Sequence, residues 1–380
     1  MRRNLIAARG MSAATPVTMR PAATWAAARG RWHPVALSST CVGLALSSHP
    51  VNSDPRTAVV LVNLGTPDAP TARAVRRYLA EFLHDHRVVD LTRWLWCPLL
   101  HFVILPLRGP KVARKYASVW IEGERGGSPL LVHTRDLAEG LQRELPDAQV
   151  LHAMRYGTPS LRDALARLRE AGIERTVVVP LYPQYSSSTT ASIEDVVDQA
   201  ANDSQAMAMH VVRDYHLDPT WVRAVADSIT AHRTNVGSDG HLLFSFHGLP
   251  QRFVDRGDPY AGQCELGARA VVQALGLDDS QWTMSFQSRF GREKWLQPST
   301  EDTLGVLQAR GIQAIDVIAP GFAVDCLETL EEVSMELAEQ VHERGGTLRY
   351  IPCLNATDAH ARVMAGVVTR ALEHADAQAR

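Results

Sequence analysis

Eight short apolar runs, separated by amphipathic segments, constrain this chain more than any other feature. They are Ala58–Leu64, Val150–Met154, Thr176–Tyr182, His210–Arg213, Leu242–Phe246, Trp282–Phe286, Ala314–Ala319 and Thr347–Ile351. Each is nearly continuous in apolar character, as strands buried on both faces are. Between them, apolar residues recur at helical spacing: Val75, Tyr78, Leu79 and Phe82 in 71–84, Leu161, Leu165 and Leu168 in 161–171, and Leu327, Leu330, Leu337 and Val341 in 327–343. Alternating strands and helices imply parallel sheets joined by right-handed crossovers. The third run of each half is followed closely by proline, in Val177–Pro183 and Asp316–Phe322. The expected fold class is therefore α/β, with two similar doubly wound domains, each built on a four-stranded parallel sheet. In such folds ligands bind in the crevice beyond the carboxyl ends of the strands.

A length of 380 residues fits about two domains. The formal net charge of −2 gives no global field that would attract nucleic acid. Five cysteines, none in a C-x-x-C pair, argue against a disulfide framework and an all-cysteine zinc site, and favour a reducing compartment. The first 53 residues hold no Asp or Glu and six arginines. They read as a disordered or non-native extension, with an organelle-type targeting peptide as the alternative. The stretch 35–48 is too short and too polar to span a bilayer. The segment Trp94–Leu107 (WLWCPLLHFVILPL) is too short to cross one and contains Pro98 and Pro106. Two readings stand for it: a core helix followed by a strand or turn, or an exposed apolar lip for a greasy substrate or a membrane surface, flanked by Arg93 and Arg108.

Four groups of residues could carry chemistry. His247 ends an apolar strand and is followed by Gly248 and Pro250, which favour a sharp turn exposing its ring. After the seventh run, Asp325, Glu328, Glu332 and Glu336 are spaced 3, 4 and 4, an acidic stripe if the segment is an α-helix. Like charges in that pattern disfavour an isolated helix, so the stripe reads either as a solvated face or as a path for cations or protons. An imidazole with carboxylates and no thiolates suits loosely held Fe2+ and does not suit a closed structural zinc site. The hydroxyl-rich loop Tyr182–Thr190 precedes a helix expected to start near Ser192, with Asp195 completing a variant capping box. Arg108, Lys111, Tyr116, Arg155, Ser288 and Trp295 place cations, hydroxyls and rings near several strand ends, which suits a flat apolar ligand with acidic arms.

In order along the chain, the motifs Leu61-Val62-Asn63-Leu64-Gly65-Thr66-Pro67, Gly126-Gly127-Ser128-Pro129-Leu130, Tyr182-Pro183-Gln184-Tyr185-Ser186, Ser245-Phe246-His247-Gly248-Leu249-Pro250, Phe286-Gln287-Ser288-Arg289-Phe290-Gly291 with Trp295-Leu296, and Gly321-Phe322 through Asp325-Cys326-Leu327-Glu328-Thr329-Leu330-Glu331-Glu332 resemble those of the ferrochelatases. The likeness runs from about Thr57 to Val368. It implies insertion of Fe2+ into protoporphyrin IX to give protohaem, the terminal step of haem biosynthesis. It implies two Rossmann-like domains, 57–214 plus 355–376 and 215–354, with the porphyrin in the cleft between them and 1–56 outside both. It implies His247 and Glu328 as catalytic and metal-facing residues, with Glu332 and Glu336 as an outer relay. Propionate contacts would fall to Arg108, Lys111 and Ser288, and pocket walls to Leu64, Tyr116, Arg155, Trp295 and Phe322.

Departures from the family pattern also inform. No cysteine-rich tail follows Cys353, so no iron–sulfur cluster and no cofactor beyond substrate Fe2+ is expected. Cys326, where many eukaryotic members have His, resembles the bacterial form and points to the cytoplasm, with peripheral inner-membrane contact through Trp94–Leu107. Leu64 stands where coproporphyrin-using members carry Tyr, which favours protoporphyrin. A monomer or weak homodimer is expected. The rivals are a coproporphyrin ferrochelatase, a cobalt chelatase, and a non-enzymatic tetrapyrrole or metal carrier.

Overall fold

The computed structural model describes residues 57–203, 207–289, 291 and 293–378. The N-terminal extension 1–56 and Phe290 of the Gln-Ser-Arg-Phe-Gly motif lie outside the described residues. All eight apolar runs become strands, with no end moved by more than two residues: β1 (Thr57–Gly65), β2 (Gln149–Tyr156), β3 (Arg175–Pro180), β4 (Ala208–Val211), β5 (His241–His247), β6 (Trp282–Gln287), β7 (Ala314–Ile318) and β8 (Thr347–Ile351). They form two four-stranded sheets, ordered β2-β1-β3-β4 and β6-β5-β7-β8. Every pairing is parallel, and the second half repeats the strand order of the first. This is the expected doubly wound α/β architecture, made twice.

The centre of each sheet is dry. In β1 alternate residues serve opposite faces: Val59 and Leu61 enter one core, and Ala58, Val60 and Val62 another. The core holding Val59 and Leu61 continues into the second half through Leu242, Phe244 and Phe246, so the two sheets share packing through the helices between them. Each of the Val, Leu and Phe side chains contributes roughly 1.5–3 kcal/mol on burial. The last helix, Asp358–Gln378, packs against helices Pro129–Glu144 and Pro219–Val236 and against β3. Helix starts follow local capping chemistry. The Ser128, Ser160 and Ser299 hydroxyls accept from the backbone N–H three residues on, and the Asp218 carboxylate accepts from Thr220 and Trp221.

Three local expectations are corrected. The segment around Trp94–Leu107 is neither a core helix nor followed by a strand. Helix Arg93–Leu99 runs through a π-helical turn, Leu100–Ile104, into helix Leu105–Val119. Pro106 does not interrupt it, because it falls in the first turn of the last helix, where a missing N–H costs little. Trp94 and Phe102 are 73% and 82% exposed, and Leu91, Leu95, Leu99, Val103 and Leu107 are exposed with them. Second, the helix after β3 spans Thr190–Asp203, so Ser192 lies in its first turn and is not its cap. The Ser192 hydroxyl donates to Asp85 at 2.6 Å, and Asp195 pairs with Arg87. Third, the segment bearing the acidic stripe winds as a π-helix, Glu328–Leu337, and only then as an α-helix, Ala338–Glu343.

Candidate active site

His247 is the last residue of β5, at the carboxyl edge of the second sheet. Its backbone carbonyl accepts from the Tyr260 hydroxyl at 3.0 Å, and its Nδ1 stands 2.7 Å from the Gly248 carbonyl oxygen. A carbonyl only accepts, so the neutral ring carries its proton on Nδ1 and keeps a basic lone pair on Nε2. The Phe322 ring meets it edge-on, with centroids 6.3 Å apart. Gly248 bonds by its N–H to the Gln287 carbonyl at 2.8 Å. An added Cβ there would lie 2.7 Å from that same oxygen and 3.3 Å from Cε3 of Trp295. Glycine is required by this close approach, and Trp295 is thereby set beside the His247 turn.

Gln287 joins the two halves of the proposed pair. It lies opposite His247 in the β5–β6 register. Its side chain accepts from Ser245 at 2.6 Å and donates to the Glu328 carbonyl at 3.0 Å. Buried and fully engaged, it ties the first residue of the π-helix to the end of the strand carrying His247. One residue on, Ser288 has a left-handed backbone, φ 65°. Its N–H and hydroxyl both donate to Glu332, at 2.8 and 2.5 Å. Glu332 therefore faces the same turn. Burial raises its pKa above the ordinary carboxylate value and the negative field of Glu328 adds to this, while the Ser288 hydrogen bonds and the field of His247 oppose the shift.

Tyrosines of the first half face Glu328. Tyr116, on helix Leu105–Val119, is buried, and its phenol is pushed up by burial first and by the Glu328 field second. Tyr78 is raised in the same way, by burial and then by the fields of Tyr116 and Glu328. Burial likewise raises the Cys326 thiol, with Glu328 adding to it. The site thus gathers an imidazole, carboxylates and aromatic rings, with Phe322 beside His247 and buried tyrosines near Glu328.

The acidic stripe does not hold as one row. Asp325, 4% exposed, accepts from Tyr350, Thr329, Asn355 and the Cys353 N–H at 2.5, 3.1, 2.7 and 3.3 Å. It anchors the loop before the π-helix and does not line the crevice. Glu336 turns to Lys115 at 3.1 Å and shares it with Glu331 at 2.8 Å. Of the remaining sequence-predicted residues, Arg155 is engaged by Asp85 at 2.6 Å and by the Ser192 hydroxyl at 2.7 Å. Arg108 is half-buried, which lowers its pKa, and Lys111 is exposed nearby on the same helix. Leu64 is half-buried at the carboxyl end of β1, its N–H donating to the Asn63 side chain at 2.8 Å.

Sequence reasoning missed Gln287, Tyr260, Asp258 and Lys115. Gly257-Asp258-Pro259 before a helical run was a visible helix-start signal. Asp258 accepts from Ser186 and from the Ser187 N–H and hydroxyl, at 3.0, 2.7 and 2.6 Å, which docks the hydroxyl-rich loop of the first half on the helix that carries Tyr260. Nothing in the sequence marked the reach of Gln287 or Lys115.

Comparison with known proteins identifies relatives of this chain. The ferrochelatase family model matches residues 56–372. A ferrochelatase of Xanthomonas axonopodis pv. citri is 57% identical over 321 residues, covering 84% of this chain and 100% of the relative. One from Vibrio parahaemolyticus is 49% identical over 312 residues, 82% of this chain and 96% of the relative. Among solved structures, SirB from Bacillus subtilis with Fe3+ aligns with a TM-score of 0.51 at 11% identity, covering 85% of this chain and 98% of that one. At that identity the likeness speaks for the fold alone. On the family match and the relatives, the chain belongs to the ferrochelatase family.

Proposed function

We propose that this chain inserts Fe2+ into protoporphyrin IX, releasing two protons and giving protohaem. The observation that carries the site assignment is the Gln287 link, which holds the Glu328 backbone against the strand ending in His247. Removing two pyrrole protons while Fe2+ sheds water needs a base at one side of the ring and a weak, open metal position at the other. His247, with its free Nε2 lone pair, takes a pyrrole proton, the role to which an imidazole base is suited. Glu328 meets the metal from the opposite side, and Glu332, held by Ser288, passes metal or proton outward. Trp295, Phe322, Tyr116 and Leu64 wall the macrocycle, whose distortion in the cleft exposes its nitrogen lone pairs. Arg108 and Lys111 are the donors for the propionates, Arg155 belongs to the pocket wall, and the Ser288 donors serve Glu332 instead. The reaction so written uses no iron–sulfur cluster and no cofactor besides substrate Fe2+, and one chain supplies every residue it needs.

The test is an anaerobic assay following porphyrin fluorescence as Fe2+, Co2+ or Zn2+ is added. Wild type should quench protoporphyrin catalytically with Fe2+ and release protons. His247→Ala should bind porphyrin and turn over at least 100-fold more slowly, and Glu328→Gln should lose a similar factor. A His247→Ala enzyme with near-wild-type turnover would end the assignment. A preference for coproporphyrin, or for Co2+, would move the reading to a sister chelatase. Binding without proton release would move it to a carrier.

The exposed lip supports a second element of the reading: peripheral attachment to a bilayer, beside which a cytoplasmic enzyme takes up and releases greasy tetrapyrroles. No helix among the described residues is long and apolar enough to cross a membrane. Trp94, Leu95, Phe102, Val103 and Leu107 are all exposed on one helical segment, an apolar surface of the kind that seeks an interface. Phe102→Glu should abolish co-sedimentation with anionic lipid vesicles and leave insertion in detergent unchanged. Equal sedimentation of the two proteins would refute the attachment.

A further inference from the structure

The hydroxyl-rich loop after β3 reaches across to the second half of the molecule. Its Tyr185 N–H donates to the Gln263 side chain at 2.6 Å. Gln184, buried, lies between two glycines of that half. A Cβ on Gly267 would stand 3.7 Å from its Nε2, and a Cβ on Gly321 would stand 3.5 Å from its Oε1 and 3.8 Å from the Tyr260 hydroxyl. The same Cβ would be 3.2 Å from Cδ1 of Phe246, the residue before His247. The loop therefore grips the elements on which the imidazole is mounted.

Asp258 completes the grip and serves each half with a different oxygen. Its Oδ2 accepts from the Ser186 hydroxyl, the Ser187 N–H and the Ser187 hydroxyl, at 3.0, 2.7 and 2.6 Å. Its Oδ1 accepts from the Tyr260 N–H at 3.0 Å. Tyr260 in turn donates its hydroxyl to the His247 carbonyl at 3.0 Å. Asp258 is only 9% exposed, so its charge depends on these donors in place of water. A serine hydroxyl can turn and accept, but a backbone N–H cannot. Each carboxylate oxygen faces one backbone N–H. An amide at this position sets its NH2 against a fixed donor whichever way it is flipped.

We infer that Asp258 is a positioning residue for the step at His247. It fixes Tyr260, and through Tyr260 the end of β5, against the loop of the first half, so that the imidazole meets the porphyrin at a set distance. This rests on the insertion reading above. Asp258 lies outside the groups assigned to porphyrin and iron, so its loss slows the chemistry and spares binding.

The experiment uses the full chain, at a temperature where circular dichroism shows every variant folded. Asp258→Asn should lower kcat about 10- to 100-fold, the scale of a displacement of about 1 Å, and keep both KM values within about threefold. Should Asp258→Asn not fold, the paired change Ser186→Ala with Ser187→Ala keeps the Ser187 N–H and the whole second half, and should lower kcat about 3- to 10-fold. If Asp258 acts through Tyr260, Asp258→Asn combined with Tyr260→Phe should be no slower than about the worse single variant. Long-range 1H–15N spectra of the histidine rings, without porphyrin or iron, read the position directly. The His247 signals, identified by their loss in His247→Ala, should move in Asp258→Asn and in the serine pair. Those of buried His360, on the last helix, should stay. Unmoved His247 signals, a loss carried by KM with kcat intact, or effects that multiply in the double variant would each overturn the inference. A wild type that does not insert Fe2+ refutes the insertion reading instead, and the ring spectra still report whether Asp258 sets His247.

Discussion

The tight turn after His247 gives the sharpest quantitative test. In Gly248→Ala the new Cβ would stand 2.7 Å from the Gln287 carbonyl oxygen, against the 3.4 Å at which ordinary contact begins. The shortfall is about 0.7 Å, and the obstacle is backbone of β6, not a flexible side-chain end. Relief requires β5 to part from β6 at its carboxyl end. That stretches the Gly248 N–H bond to Gln287, now 2.8 Å, with a loss of about 1 kcal/mol. Overpacking against Trp295 and the carbonyl adds roughly 1–3 kcal/mol. A total of about 2–4 kcal/mol corresponds to a fall of roughly 5–10 °C in melting temperature for a chain of this size. The displaced residue is the one next to the proposed base, and misplacement by about 1 Å can cost 10²-fold in rate, so kcat should drop about 10- to 100-fold with porphyrin binding retained. Gly262→Ala is the matched control. It lies in the exposed first turn of helix Tyr260–Leu275 with nothing within 4 Å of its would-be Cβ, and it should gain about 0.5–1 kcal/mol. Differential scanning fluorimetry and single-turnover insertion read both. If Gly248→Ala melts and turns over like wild type, the close approach does not position His247 and the reasoning fails.

Further expectations follow from the polar contacts. Ser288→Ala removes a hydroxyl that favours ionised Glu332, so the pKa of Glu332 should rise further and the acid limb of the kcat/KM–pH profile should move to higher pH. Because burial already raises Glu332 above its usual 4.5, its stabilising protonated form is fully present below 4.5 and is lost as pH rises through the folded value. Glu332→Gln should therefore flatten the decline of stability with pH in that window, as seen in urea melts at stepped pH. Asp325→Asn replaces an acceptor of four hydrogen bonds by a group that must donate with one atom; a loss of about 2–4 kcal/mol is expected in chemical denaturation. Tyr260→Phe releases the His247 carbonyl, at a loss of about 0.5–1.5 kcal/mol, and should lower kcat more than it raises the porphyrin KM.

The strands were legible because burial on both faces writes itself as uninterrupted apolar runs, and β1 with its fully buried Val59–Val62 is the clearest instance. The position of His247 was legible because the Gly-x-Pro after an apolar run stops the strand and leaves the residue at a sheet's carboxyl edge. Glu332 was found by spacing, although its partner Ser288 was assigned to propionates; the left-handed backbone that aims both Ser288 donors at Glu332 has no sequence signature on a non-glycine residue. Asp325 was misread for a related reason. Its spacing to Glu328 matched a helix face, but the helix starts only after it, and its carboxylate satisfies groups from β8 and the following loop, contacts that depend on chain segments far away.

The acidic stripe shows most clearly where pattern reasoning stops. A spacing of 3, 4 and 4 forms one face only if the backbone turns 3.6 residues at a time. On the π-helix Glu336 shares Lys115 with Glu331, a residue outside the 3, 4, 4 row. Winding of this kind is rare and concentrates at functional sites, and here its carboxylates fall into two groups. Glu328 and Glu332 stand at the strand end carrying His247, and Glu331 and Glu336 meet a cation from the opposite half of the cleft. A substitution at Glu331 is therefore expected to spare the chemistry at His247. Glu331→Gln should leave the pH dependence of kcat in place, and a change in that pH dependence would mean that the carboxylates still work as a single row.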